Sequence, residues 1–488
     1  MSELTRRDFL RSSLGAVAGM TVLSGLAACS NNNVPGANDE IHVGVIGFNS
    51  KGAQHINSFH ELENVRVTAL CDVDSDVLSR EEQKFKDRGE QVETYIDVRD
   101  LLENQDIDAV AIATPNHWHS LLTIWAVQAG KDVYVEKPVS HNIWEGRKMV
   151  EAANHYNRIV QAGTQNRSDV GLRAAVEYIK EGNIGAIQWA RGLWYKRRGS
   201  IGFVNEPQPV PESIDYDLWT GPKSIQPLMR ENLHYDWHWI WEYGNGDMGN
   251  LGIHQIDDCR FALGLDGMPE RVMMIGGRFG VDDNAETPNT QMAVFDYADT
   301  PVVIEVRNLP MKAGTNAMDA YKGVRAGNII QCEDGYFAGG RGGGWIYDNN
   351  GERVQLFEGD GGGGHQANFI EAMRSRNADD LYAPIEQGHY STALCHAANI
   401  SYYLGNQVND TSGVMESVAG ISEAEKTVES LTQHLQANEI SLDEQPLIHG
   451  PWLSIDKEEE EFTGDGAKEA NPFLRGSYRY PFIVPERV

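Results

Sequence analysis

From Ile41 onward the chain alternates short apolar, β-branched runs with stretches of helical periodicity, and that alternation leaves few folds open. "IHVGVIG" (Ile41 to Gly47), "VRVTALCD" ending at Asp72, "IDAVAIATP" (Ile107 to Pro115), "DVYVEKP" and "IVQAGTQ" each read as a buried strand. Between them lie helix-compatible segments: one from about Ala53, a charged amphipathic one after Asp72, "LLTIWAVQAG" and "EGRKMVEAANHY". Strands covered on both faces and joined by helices build a doubly wound parallel sheet.

The first strand runs into Gly44-Val45-Ile46-Gly47-Phe48-Asn49-Ser50-Lys51-Gly52. Laid over GxGxxG, Gly47 and Gly52 supply the first and third glycines of a dinucleotide-binding turn, and Asn49 stands at the second. That second glycine lets backbone approach a pyrophosphate at a helix N-terminus, and Asn tolerates left-handed backbone better than other non-glycine residues. Asp72, closing the second strand, suits a ribose 2′-hydroxyl and repels a 2′-phosphate, which points to NAD rather than NADP. Residues 41–164 are thus expected to form an α/β, Rossmann-type NAD-binding domain.

After Arg167 the pattern changes. "AIQWARGLWYK", "ERVMMIGGRFG", "TQMAVFDYA" and "PVVIEVRNL" are strand-like runs with few helices between them, which predicts an α+β domain over 165–405 with a large, mostly antiparallel sheet. The clusters "GGRGGGW" and "GDGGGGHQ" read as loops, "HQANFIEAMRS" and "STALCHAANISYYLG" as helices. Residues 406–488 form an acidic, helical and extended tail, expected to be mostly peripheral.

Two short stretches carry candidate chemistry. "EKP" (Glu136 to Pro138) closes a strand at the sheet edge where open α/β sheets place ligands, and a Lys there is either a surface residue or one with a task. Its ammonium can hydrogen-bond a substrate hydroxyl, or lose its proton if desolvated. "GDMGNLGIHQIDD" sets Asn250 and His254 four residues apart, on one face if helical. His254 is either a general base or a satisfied core residue, and Asp257, one turn on, either orients the imidazole or caps it. The histidines of "HWH" and "HYDWHW" have no acidic or Cys partner at ligand spacing, so no metal is expected.

Taken together, "GVIGFNSKG", "CDVD", "ATPNHWH", "VEKPVS", "GTQNR", "WYKRR", "YDLWTGP", "GNLGIHQIDD" and "HYSTALCHAANISYYLG" follow one another in an order that resembles the Gfo/Idh/MocA oxidoreductases, especially their exported, sugar-acting branch. The resemblance runs from Ile41 to about Gly405. It implies that Lys137 lies beside the nicotinamide and the substrate hydroxyl, that Lys137–Pro138 is cis, and that His254 works as an acid/base. The family's Asp is replaced by Asn250, which can position a hydroxyl but not accept its proton. The resemblance further implies cofactor contacts from Gly47, Phe48, Asn49, Ser50, Gly52, Asp72, Thr114, Pro115, Asn116, His119, Glu136 and Gln165. Substrate contacts are implied for Arg167, Tyr195, Lys196, Trp237, His238 and Asn250, and a homo-oligomer for the assembly.

Ahead of all this stands "TRRDFLR" (Thr5 to Arg11), then an apolar run, Leu14 to Leu26, shorter than the roughly 20 residues a membrane span needs. Arg6-Arg7 matches a twin-arginine export signal, and Leu26-Ala27-Ala28-Cys29 resembles a lipobox, which would tether the mature chain to a membrane surface through lipid on Cys29. Residues 1–29 are read as the signal and 30–40 as a tether. The other four cysteines, Cys71, Cys259, Cys332 and Cys395, lack disulfide or CxxC spacing. With 41 basic against 71 acidic residues the net charge is −30, which disfavours nucleic acid and favours a neutral over an anionic substrate.

An enzyme outside the cytoplasm has no pool of free NAD, so an exported one must carry its cofactor and reset it in place. The expected function is an exported NAD-dependent sugar or glycoside oxidoreductase, of the glycoside 3-dehydrogenase kind. The alternatives are a redox-neutral NAD-dependent glycosidase or lyase, and a lipid-tethered carbohydrate-binding protein without turnover.

Overall fold

The computed structural model describes residues 40–298 and 300–488; the expected signal, Cys29 and the tether up to Asp39 lie outside the described residues. Six strands build the first sheet: β1 (Ile41–Ile46), β2 (Val65–Cys71), β3 (Glu93–Tyr95), β4 (Ala109–Ile112), β5 (Asp132–Val135) and β6 (Val160–Ala162). They run parallel in the order β3-β2-β1-β4-β5-β6, so the strand order reverses between β1 and β4. Ligands of such sheets lie in the crevice outside the strand C-termini at that reversal. Every residue of β4 and β5 is buried, because helices Lys51–His60, Asn116–Gln128 and Ile143–His155 cover the sheet. Asn142 caps the last of these, its side chain accepting from Glu145 N (2.9 Å).

The second sheet has twelve strands. β7 (Ile187–Tyr195), β8 (Arg271–Gly277), β9 (Thr290–Asp296), β10 (Val302–Arg307), β11 (Ala326–Cys332), β12 (Gly335–Gly340), β13 (Gly343–Asp348) and β14 (Arg353–Glu358) form its body. Only β7 and β10 pair in parallel; their neighbours are antiparallel. Helices Val170–Lys180, Ile253–Leu263 and Ile385–Tyr403 pack on one face, and helix Ser422–Ala437 covers the β8–β10 part of the other.

Two expectations change. The cluster "GGRGGGW" is not a loop but the crossing of a β-hairpin, β12 to β13. Side chains do not fit at its crossing points: a Cβ on Gly339 would meet Gly343 O at 2.4 Å, and one on Gly344 would meet Ala338 O at 2.5 Å. Nor is the tail peripheral. It contributes β15 (Asn406–Val408), β16 (Leu447–His449), β17 (Leu453–Asp456) and β18 (Glu461–Thr463) to the second sheet, and buries Phe482 and Val484 in the core of the first domain. Among the described residues no helix is long and apolar enough to cross a membrane, and the four described cysteines are free and buried.

Candidate active site

A cleft of about 390 Å³ opens at the C-terminal ends of β1 and β4 and extends to the second domain. Its first wall is the glycine turn. Gly47 has φ +75° and a Cβ there would sit 2.9 Å from Thr114 Cγ2; a Cβ on Gly52 would sit 2.0 Å from Gly47 O. Both glycines are therefore required by close approach, although Gly52 itself stays behind the cleft surface. Asn49 does not adopt the left-handed backbone anticipated for it; its side-chain oxygen accepts from Arg80 Nη2 (2.9 Å). Ser50 caps helix Lys51–His60 without a side-chain hydrogen bond, leaving that helix N-terminus to an anion.

Asp72 lines the same end. One carboxylate oxygen accepts from Phe48 N (3.0 Å), the other from Asp74 N (3.1 Å), and burial pushes its pKa up against those bonds. Thr114, Pro115 and Asn116 complete this wall, with the buried Thr114 hydroxyl unpartnered. His119 lies between the carbonyls of Thr114 (2.8 Å from Nε2) and Pro138 (2.7 Å from Nδ1), and its one N–H in the neutral form donates to one of them. A glycine cradle, an open helix N-terminus, an acid after β2 and a free buried hydroxyl fit a dinucleotide.

The other end of the cleft is built on "EKP". Glu136 is buried and accepts from Gln165 Nε2 (2.9 Å), with His55 Nε2 at 2.9 Å and Lys51 Nζ at 4.0 Å. Burial alone would raise its pKa; His55, Lys51 and Lys137 outweigh burial and keep it ionised. Lys137–Pro138 is cis. Lys137 Nζ donates to Asn250 O (2.8 Å) and to Asn250 Oδ1 (3.3 Å). Burial lowers its pKa, Glu136 opposes that, and Lys51 and Arg198 add to it.

Asn250 sits in a π-helical turn, Met248–Gly252, and His254 in the first turn of the α-helix Ile253–Leu263 that follows it. Such turns re-aim backbone groups at functional sites. Here the Asn250 carbonyl serves Lys137. His254 is stacked on Trp194 (ring centroids 5.9 Å apart) and, through burial and then Lys137, its pKa falls to about 3, so the imidazole is neutral. Asp257 neither orients nor caps it; it is tied to Arg167 Nε (2.8 Å) and Ser391 Oγ (2.7 Å). Trp237 and His238 line the cleft, stacked with ring centroids 3.7 Å apart. His238 Nδ1 lies 2.6 Å from Tyr235 O and must donate to it, which leaves Nε2 as an acceptor.

Three anticipated substrate residues lie elsewhere. Arg167 is buried in its ion pair with Asp257. Tyr195 is buried and donates to Glu305 Oε2 (2.6 Å), because alternation along β7 puts it on the sheet face opposite Trp194. Lys196 is exposed and outside the cleft. The sequence reading missed Lys51, Trp118, Arg198, His234, Tyr235 and Arg341, all of which line the cleft. Lys51, Trp118, Arg198, His234 and Tyr235 lay inside motifs already singled out; Arg341 lay in a glycine cluster taken for a loop. Among the described residues no group of three or more His, Cys, Asp or Glu side chains could hold a metal ion.

A family model described as "Oxidoreductase family, NAD-binding Rossmann fold" matches residues 41–164, and its companion "Oxidoreductase family, C-terminal alpha/beta domain" matches residues 186–312. The chain belongs to the Gfo/Idh/MocA oxidoreductase family. NAD is accordingly the cofactor for which the cleft is built.

"Glycosyl hydrolase family 109 protein 2" of Shewanella sp. (strain ANA-3) is 33% identical over 175 residues, 31% of this chain and only 38% of that relative's length. An "Uncharacterized oxidoreductase" of Streptococcus pneumoniae serotype 4 is 27% identical over 272 residues, 53% of this chain and 62% of the other. Levoglucosan dehydrogenase, solved with NADH and levoglucosan, shares the fold with a TM-score of 0.55 at 18% identity, over 73% of this chain and 95% of its own. The WlbA dehydrogenase of Bordetella pertussis, solved with NADH and UDP-GlcNAcA, does so with a TM-score of 0.54 at 18% identity over the same shares.

Proposed function

We propose that this chain is an exported NAD-dependent oxidoreductase acting on a hydroxyl of a sugar or glycoside, of the glycoside 3-dehydrogenase kind, with the dinucleotide retained between turnovers. The observation that carries this reading is Lys137 Nζ held on the Asn250 carbonyl at 2.8 Å, beside a neutral His254, in the cleft whose far end is the glycine turn. Bound there, the nicotinamide supplies a hydride acceptor for a carbinol carbon.

The chain's own residues manage the hydroxyl proton. Lys137, its ammonium destabilised by burial, hydrogen-bonds the substrate oxygen and in the amine form accepts its proton. Glu136, ionised beside it, opposes that destabilisation. His254, neutral at any working pH, accepts a hydrogen bond from a sugar hydroxyl and fixes its direction. Trp237 and Tyr235 offer aromatic surface to the sugar ring.

The twin-arginine leader and the Cys29 lipobox support export and a lipid anchor on the outer side of a membrane. Likeness to a glycosyl hydrolase favours one second reading, redox-neutral cleavage of a glycoside. Denaturing the purified mature protein and assaying the supernatant for NAD(H), then testing glycosides for keto-sugar against free aglycone, separates these readings. Release of NAD(H) with a keto product is expected; aglycone instead selects the glycosidase, and a protein with no NAD and no affinity for it selects a binding protein. Lys137→Ala is expected to lower turnover by about 10²–10⁴-fold, the usual worth of a general acid–base group, with NAD still bound.

A further inference from the structure

The second-domain side of the cleft presents a guanidinium that none of the steps above uses. Arg341 sits between β12 and β13 in the run Gly339-Gly340-Arg341-Gly342-Gly343-Gly344 and lines the cleft with Lys137, His238 and His254. Both glycine clusters of the sequence meet under it. Asp169, fully buried, accepts from Gly342 N (2.8 Å) and Gly361 N (2.6 Å), Gly359 N donates to Gly342 O (3.0 Å), and Arg341 Nε donates to Gly361 O (3.0 Å). Two positions of this support have no room for a side chain: a Cβ on Gly343 would lie 1.9 Å from Phe357 O, and one on Gly359 2.1 Å from Asp169 Oδ1. The close packing fixes the backbone that carries one arginine.

The charge that is presented has no counter-ion among the described residues. Arg198 faces the buried Asp247 (3.3 Å) and Lys51 faces Glu136 (4.0 Å), whereas Arg341 forms no ion pair among the described residues and both its Nη nitrogens are without a protein partner. A guanidinium with its Nε engaged and its outer edge free is a planar two-pronged donor, the shape that recognises a carboxylate.

We propose that Arg341 is a specificity-determining residue and that the substrate is an acidic sugar, a uronic acid or its glycoside, whose carboxylate pairs with this guanidinium. The proposal rests on the reading of the cleft as a sugar site and names the substrate class within it. It reverses the preference for a neutral substrate inferred from the net charge of −30, because a fixed local cation decides what docks where global charge only sets the approach.

The test is equilibrium binding to the full, cofactor-loaded protein, followed by tryptophan fluorescence, of two matched pairs: methyl β-glucuronide with methyl β-glucoside, and methyl β-galacturonide with methyl β-galactoside. Absorbance of reduced nicotinamide is recorded on the same samples. At least one uronide is expected to bind about tenfold or more tightly than its neutral partner, with the preference shrinking as salt is added. Arg341→Gln should erase the preference and Arg341→Lys should keep part of it; Arg341 is exposed, so both variants are expected to fold. Equal affinity within each pair, no binding of any of the four, or a preference that survives Arg341→Gln overturns the proposal. A uronide that binds selectively without reducing the nicotinamide leaves Arg341 in place and sinks the dehydrogenase reading instead.

Discussion

Neighbouring aspartates on helix Ile253–Leu263 are driven in opposite directions by what each touches. Burial would raise the pKa of Asp257, but the Arg167 guanidinium and the Ser391 hydroxyl outweigh it and the group stays ionised. Asp258 receives only neutral donors, Asn166 Nδ2 (3.0 Å) and Asn328 Nδ2 (2.9 Å); burial and the adjacent Asp257 charge push it up to about 8. Its folded pKa lies above the unfolded value, so its stabilising effect is full below about pH 4 and is lost as pH rises towards 8. Asp258→Asn keeps the acceptor oxygen and removes the titration. The variant should therefore gain stability over the parent as pH rises, by on the order of 1–3 kcal/mol between about pH 5 and pH 8. Parallel stability curves from chemical denaturation at the two pH values would refute the assignment.

At the scale of elements, the segment between β7 and the π turn acts as a strap across the cofactor end. It leaves the second sheet and is pinned beside the end of β2: Ser75 N donates to Ser213 O (2.9 Å), Asp215 N to Val73 O (2.9 Å), and His234 Nε2 lies 2.8 Å from Asp74 Oδ2. Trp118 Nε1 holds it from the other side through Leu218 O (3.0 Å), and Leu218, Trp219 and His234 line the cleft. Burial raises the Asp74 pKa, yet the His234 and Ser213 hydrogen bonds prevail and lower it, so this tie is stronger with Asp74 ionised. His234→Ala should speed NAD release by about tenfold, the worth of one hydrogen bond to a charged group. Release timed by trapping free NAD checks this, and an unchanged rate would mean that the strap does not retain the dinucleotide. Trp237 and His238 were anticipated within this segment, but the way it is tied down was not legible, because two of its anchors are backbone bonds between residues some 140 positions apart. The parallel sheet was legible, since β4 is apolar throughout and β5 is so after Asp132, and burial on both faces suits such runs. Lys137 and His254 were legible because each lies in a contiguous motif. Tyr195 was placed on the wrong face of β7, where successive residues alternate sides and it is Trp194 that faces His254. The glycine hairpin was misread because its composition signals a loop while its register, set by cross-strand contact, is invisible locally.

For the whole molecule, the last residues decide how the two domains share their stability. The tail adds β16 and β17 to β8 in the second sheet, then returns to the first domain. There Phe482, 2% exposed, packs edge-on against Trp118 (5.3 Å), and Val484 is buried in the same core. On the way Tyr478 donates to Glu145 Oε1 (3.0 Å), and Arg479 donates to Asp217 Oδ1 (2.6 Å) on the strap. One chain end thus links the second sheet, the strap and the core behind the cofactor wall. Phe482→Ala removes a buried aromatic from a site whose neighbour, Trp118, itself lines the cleft, and should cost about 3–5 kcal/mol. Because the loss falls on the first domain, calorimetry should show that domain's transition moving down and separating from that of the second, and NAD retention should weaken with it. A chain stopped after Gly476 should do the same more strongly, since it also loses Tyr478, Arg479 and Val484. A single, unshifted transition in both variants would mean that the tail lies on the first domain without supporting it.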